Sequence, residues 1–223
     1  MEVRHEWKHL ITAADRIAVR QRMGAVGQPD GHGQNGKYLV RSLYFDNLQD
    51  KALQEKRNGV SRREKFRIRL YDLDDSLIRL ECKRKTAGLG HKDSCLLTAD
   101  ETRSILAGDT GWMAQDPRPL VRELRKKMQT QGLRPRTLVD YTREAFVYPA
   151  GNVRVTLDYG IRTGLGRTDL LDPACPTVPV PGDPILLEVK WDAFLPAVIR
   201  DMIQLEGVRS TAFSKYAACR MYD

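Results

Sequence analysis

The chain has 223 residues, of which 41% are hydrophobic and 30% charged, with a formal net charge of +8; this is the composition of a globular protein that can bury a core without disulfides. No run of eighteen apolar residues and no apolar leader occurs, so neither a membrane-spanning helix nor a secretory signal is expected, and the cytoplasm is the expected compartment. The positive balance favours an anionic partner without choosing between nucleic acid, phosphate compounds and an acidic membrane surface.

Glu2 to Leu10 alternates, with Glu2, Arg4, Glu6 and Lys8 on one side and Val3, His5 and Trp7 on the other, which predicts a strand. Thr12 to Met23 reads as a helix with Thr12 as N-cap and Asp15 three residues on, a weak capping box. Gly24 to Gly36 reads as a loop, Lys37 to Asp46 as a strand, and Leu48 to Arg57 as a short helix closed by Asn58-Gly59. Lys65–Tyr71 and Leu77–Lys85 form a predicted hairpin around the turn Asp72 to Ser76. Gly88-Leu89-Gly90 leads into a strand from Lys92 to Leu97. Helices follow at Thr98–Ala107 and Arg118–Gln131, the second stopped by Gly132. Arg136–Tyr148 and Val153–Tyr159 form a second hairpin, Asp172 to Pro184 is a proline-rich loop, and Ile185 to Trp191 is a strand. Pro196–Leu205 and Ser214–Tyr222 read as closing helices. Hairpins interleaved with helices, with no repeat or composition break, predict one α+β domain over 1–223 built on a mainly antiparallel sheet. Cys82, Cys95, Cys175 and Cys219 show no C-x-x-C spacing, so they are expected as reduced thiols, with Cys82 and Cys95 as small core residues.

The unusual feature is charge on one face of nearly every strand. Lys65, Arg67 and Arg69 alternate with Phe66, Ile68 and Leu70; Arg79, Glu81, Lys83 and Lys85 alternate with Ile78, Leu80 and Cys82. Arg154, Thr156 and Asp158 alternate with Val153, Val155 and Leu157, and Glu188 and Lys190 with Leu187 and Val189. For any one strand, a half-exposed sheet with a wet face explains this. For the set it does not suffice. Most of the charges are cationic, and Arg67 and Arg69 would sit near Arg79 or Lys83 across the hairpin, an arrangement that destabilises a sheet unless acids or a bound anion intervene. Glu-x-Lys also recurs on three strands, as Glu6-Trp7-Lys8, Glu81-Cys82-Lys83 and Glu188-Val189-Lys190. A barrel with inward-pointing charges accommodates both facts, with apolar faces turned outward against helices. Arg forks and Lys point charges suit phosphate oxygens, and glutamates suit a hard divalent ion.

These strands resemble the triphosphate tunnel metalloenzymes of the CYTH-like superfamily, and within it the VTC domain, the polyphosphate polymerase module of the vacuolar transporter chaperone complex. The resembling segments are Arg4-His5-Glu6-Trp7-Lys8, Tyr44-Phe45-Asp46, Lys65-Phe66-Arg67-Ile68-Arg69, Leu80-Glu81-Cys82-Lys83, Tyr141-Thr142-Arg143, Val153 to Asp158, Leu187-Glu188-Val189-Lys190 and Phe213-Ser214-Lys215-Tyr216. The resemblance implies an antiparallel β-barrel tunnel of about eight strands with helices outside. It implies that Lys8, Arg67, Arg69, Lys83, Arg143, Arg154 and Lys215 line the tunnel as catalytic, phosphate-holding residues, joined by Lys92 and by Lys190, which orients Glu188 or touches phosphate. Glu188 would be the main ligand of Mn²⁺ or Mg²⁺, assisted by Glu81 and Glu6. The implied reaction moves the terminal phosphoryl group of ATP onto a polyphosphate chain without a covalent enzyme intermediate. Water as acceptor would make a triphosphatase, an internal ribose hydroxyl a cyclase, and absence of turnover a polyphosphate-binding module. The family's large eukaryotic members carry an SPX sensor and membrane helices that this sequence lacks, so a membrane partner would be a separate chain.

Two competing signals are set aside. His5-Glu6-Trp7-Lys8-His9 matches the H-E-x-x-H of zinc proteases, but on a strand the two histidines stand roughly 13 Å apart, too far to share a metal. His32 and His91 read as loop residues. Arg62-Arg63, Lys83-Arg84-Lys85 and Arg122 to Lys127 could form a nucleic-acid footprint; with aromatic residues at 7% and not interleaved among the basic strands, solvated faces are expected and no nucleic-acid partner.

Overall fold

The computed structural model describes residues 4–87, 89–208 and 210–221. Its strands are β1 (His5–Ile11), β2 (Gln28–Pro29), β3 (Lys37–Asp46), β4 (Arg63–Tyr71), β5 (Asp74–Thr86), β6 (Leu89–Leu97), β7 (Arg134–Tyr148), β8 (Val153–Thr163), β9 (Val178–Pro179) and β10 (Ile185–Trp191). Its α-helices are α1 (Ala13–Val26), α2 (Lys51–Arg57), α3 (Ala99–Leu106), α4 (Pro119–Gln131), α5 (Ala197–Met202) and α6 (Lys215–Cys219). Among the described residues the strands hydrogen-bond in the order β1-β10-β8-β7-β3-β4-β5-β6, with β2 on β7 and β9 on β8. The class is α+β on an eight-strand antiparallel path: the class follows the predicted order of hairpins and helices, and the strand number follows the resemblance. The expected strand residues Glu2 and Val3, the turn residue Gly88 and the helix end Tyr222 lie outside the described residues.

The helix starts follow from capping chemistry. Thr12 Oγ1 accepts from the Asp15 amide at 3.1 Å, and the Asp15 carboxylate accepts from the Thr12 amide at 3.0 Å, so the weak capping box at α1 is real. Thr98 and Glu101 repeat the device at α3. Helix α2 starts at Lys51 rather than Leu48. Asn47 Oδ1 accepts from the Gln49 and Lys51 amides and Asp50 takes a left-handed φ of 53°, forming a turn where the helix was expected. The buried Asp46 carboxylate then receives the Ala52 and Leu53 amides. Helix α4 ends at Gly132, whose φ of 65° is the left-handed stop expected of it.

The predicted five-residue turn between β4 and β5 is tighter. Tyr71 already pairs with Asp74, leaving Asp72 and Leu73 at φ 49° and 59° as a two-residue hairpin turn. The chain divides into two compact units: Met1–Leu39, Tyr141–Ile161 and Pro179–Ser214, and Val40–Asp140, Arg162–Val178 and Lys215–Asp223. Each has its own apolar core. In the first, Val155, Leu157, Leu187 and Val189 of β8 and β10 pack with Val19 and Met23 of α1 and Ile199 of α5. In the second, Phe66, Ile68, Ile78, Leu80 and Cys82 pack with Ile105 of α3 and Leu120, Val121 and Leu124 of α4. In both, the apolar phase of the strands is the helix-covered phase, which leaves the charged phase to the opposite face.

The basic helical run serves docking. Arg84, on the helix side of β5, pairs with Glu123 of α4 at 2.5 Å and with Glu64 of β4 at 3.9 Å, and Lys127 of α4 also pairs with Glu64. All four cysteines are free thiols, and burial pushes the Cys82 thiol up to about 12, which makes it an inert core residue.

Candidate functional site

In the second unit, register decides which charges meet. The pairs Tyr44↔Arg67, Arg67↔Glu81 and Glu81↔Ser94 form one rung across β3 to β6. One rung away stand Lys65↔Lys83 and Lys83↔Lys92; on the other side stand Ser42↔Arg69 and Arg69↔Arg79. Glu81 is only 2% exposed at the centre of this field. Its carboxylate accepts from Arg67 Nε at 2.6 Å and from Lys92 Nζ at 3.0 Å, with Arg69 Nη1 at 3.7 Å. Burial pushes the Glu81 carboxyl up, but Arg67, Arg69 and Lys92 outweigh it and hold the group far below the ordinary carboxylate range.

Tyr44 lies in a resembling segment, but sequence reasoning gives it no role. Arg67 Nη1 donates to its hydroxyl at 2.8 Å, and Lys65 Nζ lies 5.0 Å from its ring centroid. Burial raises the phenol pKa; Arg67, Lys65 and Arg69 more than reverse this and bring it to about 7. The Tyr44 ring stacks on Tyr216 with centroids 4.9 Å apart, and Tyr216 donates to Asp46 at 2.7 Å while Arg220 donates to its hydroxyl at 2.9 Å. This buried network fixes the start of α6, where Lys215 stands.

In the first unit the charges are matched instead. Antiparallel pairing sets Glu6 opposite Lys190 and Lys8 opposite Glu188, with Arg154 and Thr156 next along on β8. Lys8 Nζ lies 3.4 Å from Glu6 and 3.3 Å from Glu188; Lys190 Nζ lies 3.3 Å and 3.5 Å from the same two carboxylates. Arg143 forks onto the fully buried Asp158 at 2.6 and 2.7 Å. Burial lowers the Arg143 pKa, but Asp158 and Tyr141 raise it well above its ordinary value. Arg154 pairs with Asp30 and donates to the Tyr38 hydroxyl at 2.9 Å, while its Nε is buried without a partner.

The structure thus groups Lys8, Glu6, Glu188, Lys190, Arg143 and Arg154 on one unit, and Arg67, Arg69, Glu81, Lys83, Lys92 and Lys215 on the other. Sequence reasoning missed the partners Asp30 and Tyr38, and it named Tyr44, Asp158, Lys65 and Arg79 without giving them a role in the site. The Glu-x-Lys triplets at residues 6 and 188 pair with each other; the triplet at 81 faces Lys65 and Arg67. His5-Glu6-Trp7-Lys8-His9 lies on strand β1, with His5 stacked on Trp191 at 5.3 Å, so the zinc-helix reading has no support. Among the described residues, no group of three or more His, Cys, Asp or Glu side chains converges as a metal cluster. Two hard carboxylates, Glu6 and Glu188, do share one face. Beside Glu188 in register, Thr156 carries a buried hydroxyl without a hydrogen-bond partner. That oxygen set fits a hard divalent ion that keeps several of its waters.

Among solved structures, a protein from Bacillus halodurans named as a candidate adenylate cyclase superposes with a TM-score of 0.50 at 14% identity, covering 85% of this chain and 80% of its own. A Pyrococcus horikoshii protein follows with a TM-score of 0.45 at 12% identity, covering 90% of this chain and 84% of its own. At such identity the likeness concerns the fold alone. No curated protein matches the sequence. The model of the VTC domain matches residues 3–222, and the chain therefore belongs to the VTC-domain family.

Proposed function

We propose that the protein is a divalent-metal-dependent phosphotransferase that moves the terminal phosphoryl group of ATP onto a polyphosphate chain. The observation that carries this reading is the like-charged rung pair around Glu81. Lys65, Lys83 and Lys92 face one another across three strands, and Arg69 faces Arg79. A sheet tolerates such rows when an anion lies on them. Membership of the VTC-domain family supports phosphate chains as that anion.

In this reading Arg67, Arg69, Lys83, Lys92 and Lys215 are the phosphate contacts on the second unit, and Lys8, Arg143, Arg154 and Lys190 are those on the first. Glu81, by holding Arg67 and Lys92, keeps those donors aimed before substrate arrives. Asp158 does the same for Arg143. The terminal oxygen of the acceptor chain attacks the γ-phosphorus of ATP, the β–γ bridging bond breaks, and ADP leaves with that bond's electrons. No group on the protein is phosphorylated. Glu188, assisted by Glu6, would hold Mn²⁺ or Mg²⁺, whereas Glu81, the third expected ligand, is engaged by Arg67 and Lys92. The ion, when bound, neutralises phosphate charge during transfer. Lys8 and Lys190, each within 3.5 Å of Glu188, would contact phosphate beside the carboxylates that would hold the ion.

The test is purified protein with ATP, Mn²⁺ and a short polyphosphate primer. Chain elongation with stoichiometric ADP is the expected result. Orthophosphate release without elongation would replace the reading with a triphosphatase, and tight polyphosphate binding without turnover would replace it with a binding module. Glu188→Gln should lose metal-dependent turnover yet still bind tripolyphosphate.

A further inference from the structure

Arg79 differs from the other cations of its rung field. It is half-buried on β5, in the charged phase, with Arg69 directly opposite on β4. Arg69 is held by Ser42 and Glu81. Among the described residues the Arg79 guanidinium has no hydrogen bond, ion pair or ring contact. A fork of five donors that faces another guanidinium is unfavourable in the bare sheet; Glu81 relieves Arg69 but not Arg79, and an anion between the two would relieve both.

We infer that Arg79 is a further phosphate-contacting residue, and that the bound polyanion runs along β4 and β5, bridging the Arg69–Arg79 rung and the lysine rung of Lys65, Lys83 and Lys92. This rests on the phosphate-binding reading above and extends it in two ways: it adds a residue and it gives the anion a direction. The two rungs are four residues apart along each strand, which is roughly 13 Å of extended chain. Glu81 and Arg67 stand between them. An anion long enough to reach both rungs gains both sets of cations; pyrophosphate reaches one. Arg79 therefore acts as a length reader, contributing more to long chains than to short ones.

Calorimetric titration with pyrophosphate and with long-chain polyphosphate tests this on the whole protein, using wild type, Arg79→Gln, Arg79→Lys and the exposed-helix control Lys126→Gln. Arg79→Gln should weaken long-chain binding about tenfold, as expected for one lost charge-assisted fork. It should lower the magnitude of the salt slope of log K by about one and change pyrophosphate binding much less. Arg79→Lys should keep the slope and lose part of the affinity. Without phosphate, neither variant should lower the thermal midpoint, and Arg79→Gln, which removes the charge facing Arg69, should match or exceed wild type. Wild-type affinity and slope in Arg79→Gln would overturn the assignment, as would equal losses for pyrophosphate and the long chain. If wild type itself bound no phosphate chain of any length, the functional reading would fall first, an outcome distinct from either of these.

Discussion

Replacing Glu81 by glutamine removes one negative charge from a site that is 2% exposed and leaves its shape nearly unchanged. Arg67 at 2.6 Å, Lys92 at 3.0 Å and Arg69 at 3.7 Å then face each other without their counter-charge. Breaking a fully buried pair costs about 3–5 kcal/mol. The Lys92 side chain is 53% exposed and Arg67 is 19% exposed, so water relieves part of that loss; about 2–3 kcal/mol is the expected destabilisation. For a chain of this size that lowers the thermal midpoint by roughly 4–12 °C. Because the Glu81 pKa is depressed in the native state, its contribution is fully present above the unfolded value of about 4.3 and is lost as pH falls toward the native value. The gap between wild type and variant should therefore be constant from pH 8 to 5 and narrow below about pH 4. Thermal unfolding of both proteins across this range is the assay. Equal midpoints near neutral pH would refute the view that Glu81 holds the cations of this face together.

Tyr44 should titrate near pH 7 by its tyrosinate absorbance, the signal should vanish in Tyr44→Phe, and polyphosphate should move it upward by occupying the cations that pull it down. Since its native pKa lies below the unfolded value of about 10, wild type should gain stability over Tyr44→Phe as pH rises from about 7 to 10; the opposite slope would show that the phenol keeps its proton. Arg143→Ala strands the fully buried Asp158 and should cost about 3 kcal/mol or more in denaturant unfolding, so its activity must be compared with Arg143→Lys, which keeps the charge and loses the fork. Thr98→Ala removes the α3 cap and should cost about 1 kcal/mol without altering phosphate binding; an unchanged midpoint would show that the capping box is idle.

Local chemistry made much of the fold legible. The bounds of β3 and β10, the capping box at Thr12 and the stop at Gly132 follow from side-chain period and cap residues that act within a few positions. What eluded sequence reading depends on pairing over long separations. Strands β2 and β9 are two residues each and have no period to detect. The acidic run Asp72 to Ser76 reads as loop, yet only Asp72 and Leu73 turn, because strand pairing extends β5 down to Asp74. The two compact units leave no composition break because each is assembled from three separate segments of chain. For the site, the alternating phase identified the charged face, but not which charges neutralise each other. That Glu81 is enclosed by Arg67, Arg69 and Lys92, or that Arg143 is anchored by Asp158, emerges only from the register.

The pairing of residues 6–8 with residues 188–190 also works as an error check on strand alignment. A slip of one residue of β1 along β10, which β8 holds in place, would turn Ile11 out of the core and fails on apolar grounds. A slip of two residues keeps every side chain on its proper face, so apolar burial cannot reject it. In one direction that slip sets Glu6 against Glu188, and in the other Lys8 against Lys190. The apolar phase thus vetoes a slip of one residue and the charge order vetoes a slip of two, so apolar and charged side chains guard different errors in the placement of β1 on its neighbour.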